Sequence, residues 1–380
     1  AVEDGSALSV KYCGLGFLGK DSDKQSNYPF LARTALNDIG TLSGRLLGLT
    51  RDSNSHLRIA DANSESSNYA LSYILASEKF ESQKFINPIS KKQQFNNIFK
   101  VALNAVVFDM QKAQIVGIFP WIYQFNEASD VPLTAEEKAA RFAGFFNDMP
   151  IAPSKKTDSE DSDDINAGNM LMEWSKSLQN LNFNDKQKTL GVSPVKFSDA
   201  SKGTLGSDSM QTIDKLSREL TSQYEIILSS SFQLPVIPSG NAGETGDQFV
   251  ASIPSCLGQG EYHLTMPSPT YRFGFDVEQL QTAQIVQDIA GQDNKRYEVG
   301  FGARIRTTLQ QTDDSDTVNG GKLILDNKIK SITSKSFVGN REFGAVDQYQ
   351  NLLIATMGQL VPGFLKPDES WLKSHLSKEE

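Results

Sequence analysis

One run of residues in each half of the chain alternates strictly between apolar and other side chains. These two runs limit the possible folds more than any other part of the sequence. Alternation with a period of two is typical of a strand with one buried face. In the first half a polar turn from 109 to 114 and an apolar run from Ile115 to Phe125 follow, which predicts a hairpin. The alternating residues are Phe99, Val101, Leu103, Ala105 and Val107, and then Tyr297, Val299, Phe301, Ala303 and Ile305.

Helical spacing of apolar residues surrounds these strands. A stripe from 28 to 47 predicts one helix, and Thr134 with Glu137 forms a capping box that opens another. In the second half, apolar residues predict helices from 213 to 220 and near 346–360, whereas Tyr224 to Leu228 resembles a strand. Both halves thus share one order: strand, helix, strand, three sheet strands and a terminal helix.

This order predicts an α+β protein with two similar domains, each a mixed sheet with helices packed on it. We place the first domain at residues 1–150 and the second at 191–380. Residues 151–190 are predicted to be an acidic linker with a weak helix, because Asp158 to Asp164 is a charge run of the kind found in solvated segments.

Composition excludes some functions. The 380 residues carry a net charge of −9 without a basic block, which argues against a nucleic-acid partner. No apolar run approaches the roughly 20 residues of a transmembrane helix. The start Ala1-Val2-Glu3-Asp4 suits a chain whose signal peptide has been removed, or one trimmed at a domain edge.

Cys13 and Cys256 are the two cysteines of the chain. Sequence leaves two interpretations open, a disulfide that staples the two domains or two buried thiols. Few cysteines suit a bacterial envelope protein and a cytosolic one equally.

The sharpest motif is the glycine-rich run from Gly14 to Asp21, which satisfies both GxGxxG and Gly-x4-Gly-Lys. Its context argues against phosphate binding. A P-loop needs Ser or Thr where this chain has Asp21, and a helix should begin at once, yet Asp21 to Asn27 is polar. We therefore interpret the run as a strand with a glycine exit and expect no cofactor.

Other motifs indicate neither catalysis nor metal binding. His56, His263 and His375 lack metal-ligand spacing, and Pro254-Ser255-Cys256 has no recognisable base. The run from Asp313 to Gly320 lacks the oxygen spacing of a calcium loop. We predict no catalytic, cofactor or metal residues.

Aromatic residues supply the candidate binding sites. Trp121 and Tyr123 could stack on a sugar or lipid, and Phe142, Phe145 and Phe146 form a helical stripe that is either an exposed partner site or core.

Two segments resemble a known superfamily. Residues 68–74, Asn-Tyr-Ala-Leu-Ser-Tyr-Ile, and the hairpin from Val106 to Gly117 are similar to the curli secretion channel subunit and the N-terminal domain of the Tol translocation protein. The resemblance covers mainly residues 8–148, with the second half a tandem copy. It lacks the lipidated N-terminal cysteine, since Cys13 lies inside the first strand, and a pore-forming hairpin. It implies an envelope protein whose domains bind other proteins.

We therefore expect an exported bacterial cell-envelope module without catalytic activity, periplasmic or outer-membrane associated, that binds envelope proteins and is able to oligomerise. The alternatives are a surface or secreted protein that binds glycan or lipid, and a hydrolase that uses carboxylates such as Asp276 or Glu278.

Overall fold

The computed structural model places the chain in two compact units. Unit 1 comprises residues 1–186 and 247–267, and unit 2 comprises residues 187–246 and 268–380. The structure describes residues 8–53, 57–60, 67–87, 90–147, 170–179, 183, 188–206, 210–238, 248–254, 256, 260–288, 295–311, 322–338 and 348–357. In this part of the chain, no helix has the length and apolar character needed to cross a membrane.

The elements follow in chain order. Residues 8–178 contain β1 (Leu8–Leu18), α1 (Lys24–Asn27), α2 (Ile39–Ser53), β2 (Leu57–Ala60), β3 (Tyr69–Ile86), β4 (Gln93–Asp109), β5 (Gln114–Ser129), α3 (Ala135–Asn147) and α4 (Met170–Leu178), with single 3-10 turns at Asp21–Asp23 and Leu31–Arg33. Residues 190–357 contain β6 (Leu190–Val192), β7 (Lys196–Phe197), α5 (Asp199–Leu205), α6 (Met210–Phe232), β8 (Gln248–Ser252), β9 (Glu261–Thr265), β10 (Tyr271–Asp288), β11 (Lys295–Gln311), β12 (Lys322–Val338) and α7 (348–357). The α+β class is confirmed.

The sheet of unit 1 has the order β2-β1-β3-β4-β5-β9-β8. β1 runs parallel to β3, and β3, β4 and β5 form an antiparallel meander. β8 also pairs with β1, so hydrogen bonds link the last strand of this order back to its second strand. We call the β8–β9 segment, residues 247–267, the insertion, because it interrupts the sequence of unit 2.

Helices pack on one side of this sheet, which we call the inner face. The alternating residues of β4 are buried there, as predicted, together with side chains from α2, α3 and α4. The capping box is confirmed: the Thr134 amide donates to Glu137 Oε2 at 2.8 Å and the Glu137 amide to Thr134 Oγ1 at 3.2 Å. The hairpin predicted from 99 to 125 is also confirmed, as β4 and β5.

Unit 2 is built in the same way. Its sheet has the order β12-β11-β10-β6, with the short β7 continuing along β10. The inner face carries Tyr271, Phe273 and Phe275 on β10, all buried. The ring of Tyr224, on α6, lies 4.7 Å from that of Phe275, and the ring of Tyr349, on α7, lies 5.5 Å from that of Phe301.

The two units match in hydrogen-bond register. β3 and β10 both have 18 residues and each carries one extra residue at its eighth position, Ala76 and Glu278. β4 and β11 both have 17 residues. β5 and β12 both carry an extra residue at their third position, Val116 and Ile324. Since bulges fix register, these coincidences indicate two copies of one fold.

The first strands agree as well. Val10 pairs with Tyr69 and Phe17 with Leu75 in unit 1, while Leu190 pairs with Tyr271 and Phe197 with Val277 in unit 2. The match assigns each residue of one sheet an equivalent in the other.

The predicted boundaries differ from the units in two places. The weak helix of the predicted linker is α4, and Met170, Trp174 and Leu178 are buried in the core of unit 1. Residues 247–267, predicted to belong to the second domain, join unit 1 because β8 and β9 add to its sheet. The acidic run 158–164 lies outside the described residues.

Two elements were predicted wrongly. The helix predicted from 28 to 47 begins only at Ile39, because Leu31–Arg33 forms a 3-10 turn and Thr34, at φ −126° and ψ −93°, leaves the helical region. Tyr224 to Leu228 lies within α6 and is not a strand. Leu216, Leu220, Tyr224 and Leu228 recur every four residues and are all buried, so the helical stripe continues through the β-branched pair Ile226-Ile227 that suggested a strand.

Candidate functional site

The predicted aromatic sites lie in the core of unit 1. Phe142, Phe145 and Phe146 are buried, and the Phe142 ring lies 5.3 Å from that of Phe99. The stripe is therefore core and not an exposed partner site, because α3 needs an apolar face to cover β4. Tyr123 is also buried, and its ring lies 5.1 Å from that of Phe145.

Trp121 is half-buried on β5. Its ring lies 6.0 Å from the Tyr123 ring and 6.4 Å from that of Trp174 on α4. Stacking on a sugar or lipid requires accessible aromatic faces, and this cluster directs its rings at one another. Of the two residues predicted to stack on a sugar or lipid, Tyr123 is buried and Trp121 keeps partial exposure.

Cys13 and Cys256 form a disulfide, with their Cα atoms 4.6 Å apart. The bond lies within unit 1 and does not staple two domains, because the insertion that carries Cys256 belongs to that unit. Both cysteines are buried. Around the disulfide, the Gly19 amide donates to the Val250 carbonyl at 2.9 Å, and Ser252 Oγ donates to the Gly19 carbonyl at 3.0 Å.

The glycine run allows this close docking of the insertion. A Cβ on Gly16 would overlap the Ser252 carbonyl oxygen and come within 3.1 Å of Ile253 Cγ1. Gly14 and Gly19 have φ values of 80° and 104°, which favour glycine. The motif therefore lets the backbone of the insertion approach β1 closely. This agrees with the interpretation of the run as a strand with a glycine exit.

The insertion gives unit 1 a second core on the outer face of its sheet, the side opposite the helices. Ile74 and Phe108 are fully buried on this face, and Val106 is 1% exposed. The insertion contributes Ala251, Ile253 and Leu264, which are equally buried. The Phe108 ring lies 5.7 Å from that of Tyr262 on β9, whose hydroxyl donates to the Cys256 carbonyl.

The outer face of unit 2 has different chemistry. Arg272 stands at the position equivalent to Ala70, Asp276 at that of Ile74 and Arg306 at that of Asn104. Lys196 stands where unit 1 has Gly16. These four side chains of unit 2 are charged and reach solvent, whereas among their equivalents in unit 1 Ala70 and Ile74 are fully buried and Asn104 alone is polar.

The carboxylates of the hydrolase alternative lie on this charged face. Glu278 contacts Arg304 Nε at 3.2 Å and Lys328 Nζ at 3.0 Å. Asp276 stands next to Arg306 in register. Both carboxylates therefore lie among basic side chains on an exposed face of the sheet.

Two carboxylates in unit 1 do have raised pKa values, and both hold structure together. Burial raises the pKa of Glu78, whose carboxylate accepts bonds from the amides of Phe30 and Leu31 at 3.1 and 2.7 Å. Burial also raises the pKa of Glu127, although Arg141 opposes the shift across a buried ion pair at 3.1 Å. Glu78 thus anchors a 3-10 turn on β3, and Glu127 ties β5 to α3.

Metal ligands do not come together in the described ranges, where no group of three His, Cys, Asp or Glu side chains could hold an ion. His263 lies exposed on β9 and contacts Glu261 at 2.8 Å. His56, His375 and the run from Asp313 to Gly320 lie outside the described residues.

Sequence reasoning missed both the insertion and the charged face. A signal for the face exists: Arg272 and Asp276 interleave with Phe273 and Phe275, which is the period-two pattern of a strand with one solvated side. The insertion has a weaker signal, since its strands have only five residues each.

Comparisons with known proteins give fold-level similarities alone. No protein-family model and no curated protein matches the chain. Three solved structures that it resembles are a hypothetical protein, CT253, from Chlamydia trachomatis, a neuraminyllactose-binding hemagglutinin homolog from Helicobacter pylori and a minor lipoprotein from Acinetobacter baumannii.

The identities to these three are 12%, 11% and 10%, with TM-scores of 0.22, 0.29 and 0.19. The alignments cover 39%, 51% and 47% of this chain and 73%, 91% and 91% of the other chains, in the same order. Similarities at this level carry no functional assignment.

Proposed function

We propose that the chain is an exported cell-envelope protein that acts by binding other proteins and has no catalytic role. The observation that carries the proposal is the Cys13–Cys256 disulfide. Disulfides form and persist in oxidising compartments such as the bacterial periplasm, and they are rare where glutathione and thioredoxin keep thiols reduced. The bond uses both cysteines of the chain, so no free thiol remains.

The position of the bond supports an oxidising environment further. Among the described residues, the insertion pairs with β1 through Phe17 with Ser252 and Leu18 with Ala251, and with β5 through Gln114 with Thr265. A covalent link therefore supplements a short run of hydrogen bonds. In a reducing compartment this disulfide would be broken, and the insertion would be held on the outer face of unit 1 without its covalent link.

Binding is favoured over catalysis by what the surfaces offer. The carboxylates of the hydrolase alternative are engaged in ion pairs on an open sheet face, and the aromatic residues that could stack on a ligand are packed against one another. The resemblance of residues 8–148 to the envelope superfamily points the same way. A charged, flat sheet face is a surface for a macromolecule and is not a small-molecule cleft.

The test combines thiol trapping with fractionation of the native host. Cells are quenched in acid and the chain is treated with a maleimide-polyethylene glycol reagent, with and without prior reduction. The proposal predicts no modification until a reductant is added, and recovery in the periplasmic or membrane fraction. The Cys13→Ser/Cys256→Ser variant is the control that cannot react. A chain recovered reduced in the cytoplasmic fraction would overturn the proposal.

A further inference from the structure

The outer face of unit 2 is positively charged in a chain whose net charge is −9. Over the part of this face from Arg272 to Gln281 on β10, with the residues beside it in register, six basic and three acidic side chains give a net charge of +3. The basic residues are Lys196, Arg272, Arg304, Arg306, Lys328 and Lys330, and the acidic residues are Asp276, Glu278 and Asp326. We call this surface the basic face.

Two of the acidic side chains are already engaged within the face. Arg306 donates to Asp326 through Nε at 2.8 Å and through Nη2 at 2.7 Å, a bidentate pair. Glu278 is shared by Arg304 and Lys328. Among the described residues, Lys196, Arg272 and Lys330 make no ion pair with another side chain. These three cations supply the excess positive charge.

The three unpaired cations are spread along the strands and not clustered at one point. Arg272 lies near the start of β10. In the strand register, Lys196 lies opposite Asp276 of β10 and Lys330 lies opposite Arg304 of β11. At about 3.4 Å per residue, this spread extends roughly 20 Å. A ligand that contacts all three cations is therefore extended, with a length of about six or seven residues of polypeptide.

Beyond these cations the face carries Gly302 and, beside it in register, Ile332, which is 82% exposed. The nearest atoms to a Cβ on Gly302 would lie 3.9 Å away, so this glycine leaves room for a backbone to approach. The exposed isoleucine offers an apolar contact beside the charges.

Unit 1 shows what the same face of this fold accepts. There, the insertion lies against the outer face as an extended segment, with Ile253 beside Gly16 and Ile74. In unit 2 the equivalents of Gly16 and Ile74 are Lys196 and Asp276, and no described segment covers them. The apolar chemistry of unit 1 suits an apolar strand, whereas the chemistry of unit 2 suits a segment of negative charge.

We propose that the basic face of unit 2 binds an extended acidic segment of a protein partner, in the place that the insertion occupies on unit 1. The inference deepens the proposed function by stating the chemistry of the partner, and it rests on that function. Long-range attraction to such a segment weakens with salt, because exposed charges are screened.

The test uses the full chain and fluorescence anisotropy of a labelled peptide of 20 glutamates, with a peptide of alternating glycine and serine as the neutral probe. The test variant is Lys196→Gln/Arg272→Gln/Lys330→Gln. The control variant is Lys20→Gln/Lys92→Gln/Lys112→Gln, which removes the same charge from exposed positions of unit 1. Circular dichroism melting verifies that all three proteins are folded.

We expect the wild-type and control proteins to bind the acidic peptide alike and the test variant to bind about tenfold more weakly, as three surface contacts of roughly 0.5 kcal/mol each imply. Ile332→Asp, at an exposed position, should also weaken binding. Equal loss in the test and control variants, or equal binding of the neutral peptide, would overturn the inference.

Two further arms identify the class of partner. Vesicles of phosphatidylglycerol and phosphatidylcholine and a single-stranded oligonucleotide are titrated against the same proteins. Tighter binding of either than of the peptide, lost in the test variant, would overturn the inference in favour of that class. Thiol trapping separates the two proposals: an oxidised, exported chain that ignores the peptide overturns this inference alone, and a reduced cytoplasmic chain overturns export alone.

Discussion

The two units use the same four-strand framework, with the same bulges and the same buried inner face, but they differ on the outer face. Ile74 in unit 1 is fully buried under the insertion, while its equivalent in unit 2, Asp276, lies on a charged surface. The difference shows that the inner face defines the fold, because it must bury the helices, and that the outer face is free to diverge. In unit 1, where the outer face is apolar, the insertion adds a second layer.

The largest effect is expected when the side chains of the two outer faces are exchanged. Ile74→Asp should lower the free energy of unfolding of unit 1 by about 4 kcal/mol, because it removes a buried side chain and buries a carboxylate. The matched variant Asp276→Ile should change unit 2 by less than about 1 kcal/mol. Tryptophan fluorescence during urea unfolding of a Trp371→Phe background follows unit 1, since the remaining Trp121 and Trp174 both lie there, and hydrogen exchange of the β10 amides follows unit 2. Equal effects at both positions would show that the faces do not differ.

The disulfide is a further difference between the units, because the equivalent of Cys13 in unit 2 is Ser193. Cys13→Ser/Cys256→Ser should lower the free energy of unfolding of unit 1 by about 3 kcal/mol, because the cross-link no longer restricts the unfolded chain. Urea unfolding with and without reductant measures this. The reductant should shift the wild-type midpoint and leave the variant unchanged; a wild-type midpoint that does not move would contradict the expectation.

Gly16 tests whether the insertion needs close backbone approach. Gly16→Ala should destabilise unit 1 by about 2 kcal/mol, because the new Cβ overlaps the Ser252 carbonyl and forces the insertion outward. Gly44→Ala in α2 is the control: no atom lies within 4 Å of its Cβ position, and alanine favours helix by up to about 1 kcal/mol. Thermal melting should therefore move in opposite directions for the two variants. A neutral Gly16→Ala would mean that the insertion adjusts freely.

The smallest expected effect is the dependence of stability on pH, and the sign of this dependence differs between the units. The pKa of Glu78 in unit 1 is raised by burial, so its contribution to stability is present at low pH and is lost as pH rises through the folded-state pKa. The pKa of Asp326 in unit 2 is lowered by Arg306, so its contribution is lost as pH falls below its ordinary value of 3.8. Hydrogen exchange of β3 and β12 amides between pH 3 and 7 follows each unit, and Glu78→Gln should flatten the response of β3 alone. An unchanged slope in that variant would remove Glu78 as the cause.

Much of the fold could be predicted from the sequence because it depends on local periodicity. The alternation in β4 and β11, the hairpin of β4 and β5, and the Thr134–Glu137 capping box are all present as short-range patterns. Even the shared order of elements was visible without residue identity between the halves. Where two local signals competed, as at Tyr224 to Leu228, the longer helical stripe prevailed over β-branched residues.

The candidate surfaces could be predicted less well, because each depends on residues far apart in sequence. Phe142, Phe145 and Phe146 have a spacing that fits an interface or a core equally, and only packing against Phe99 decides between them. The basic face is assembled from strands β7, β10, β11 and β12, whose register brings Arg306 next to Asp276 and Lys328.

Local patterns in the order of residues specify the α+β class, the long strands with one apolar side, and the repetition of one arrangement in both halves. Side-chain periodicity is a local property, and it is written directly in the order of residues. Only the tertiary structure decided that residues 247–267 leave unit 2 for unit 1, that Cys13 meets Cys256, and that one outer face is covered while the other is charged. These outcomes depend on which surfaces from distant parts of the sequence are complementary. Burial and strand register in the folded chain decide which of these surfaces meet.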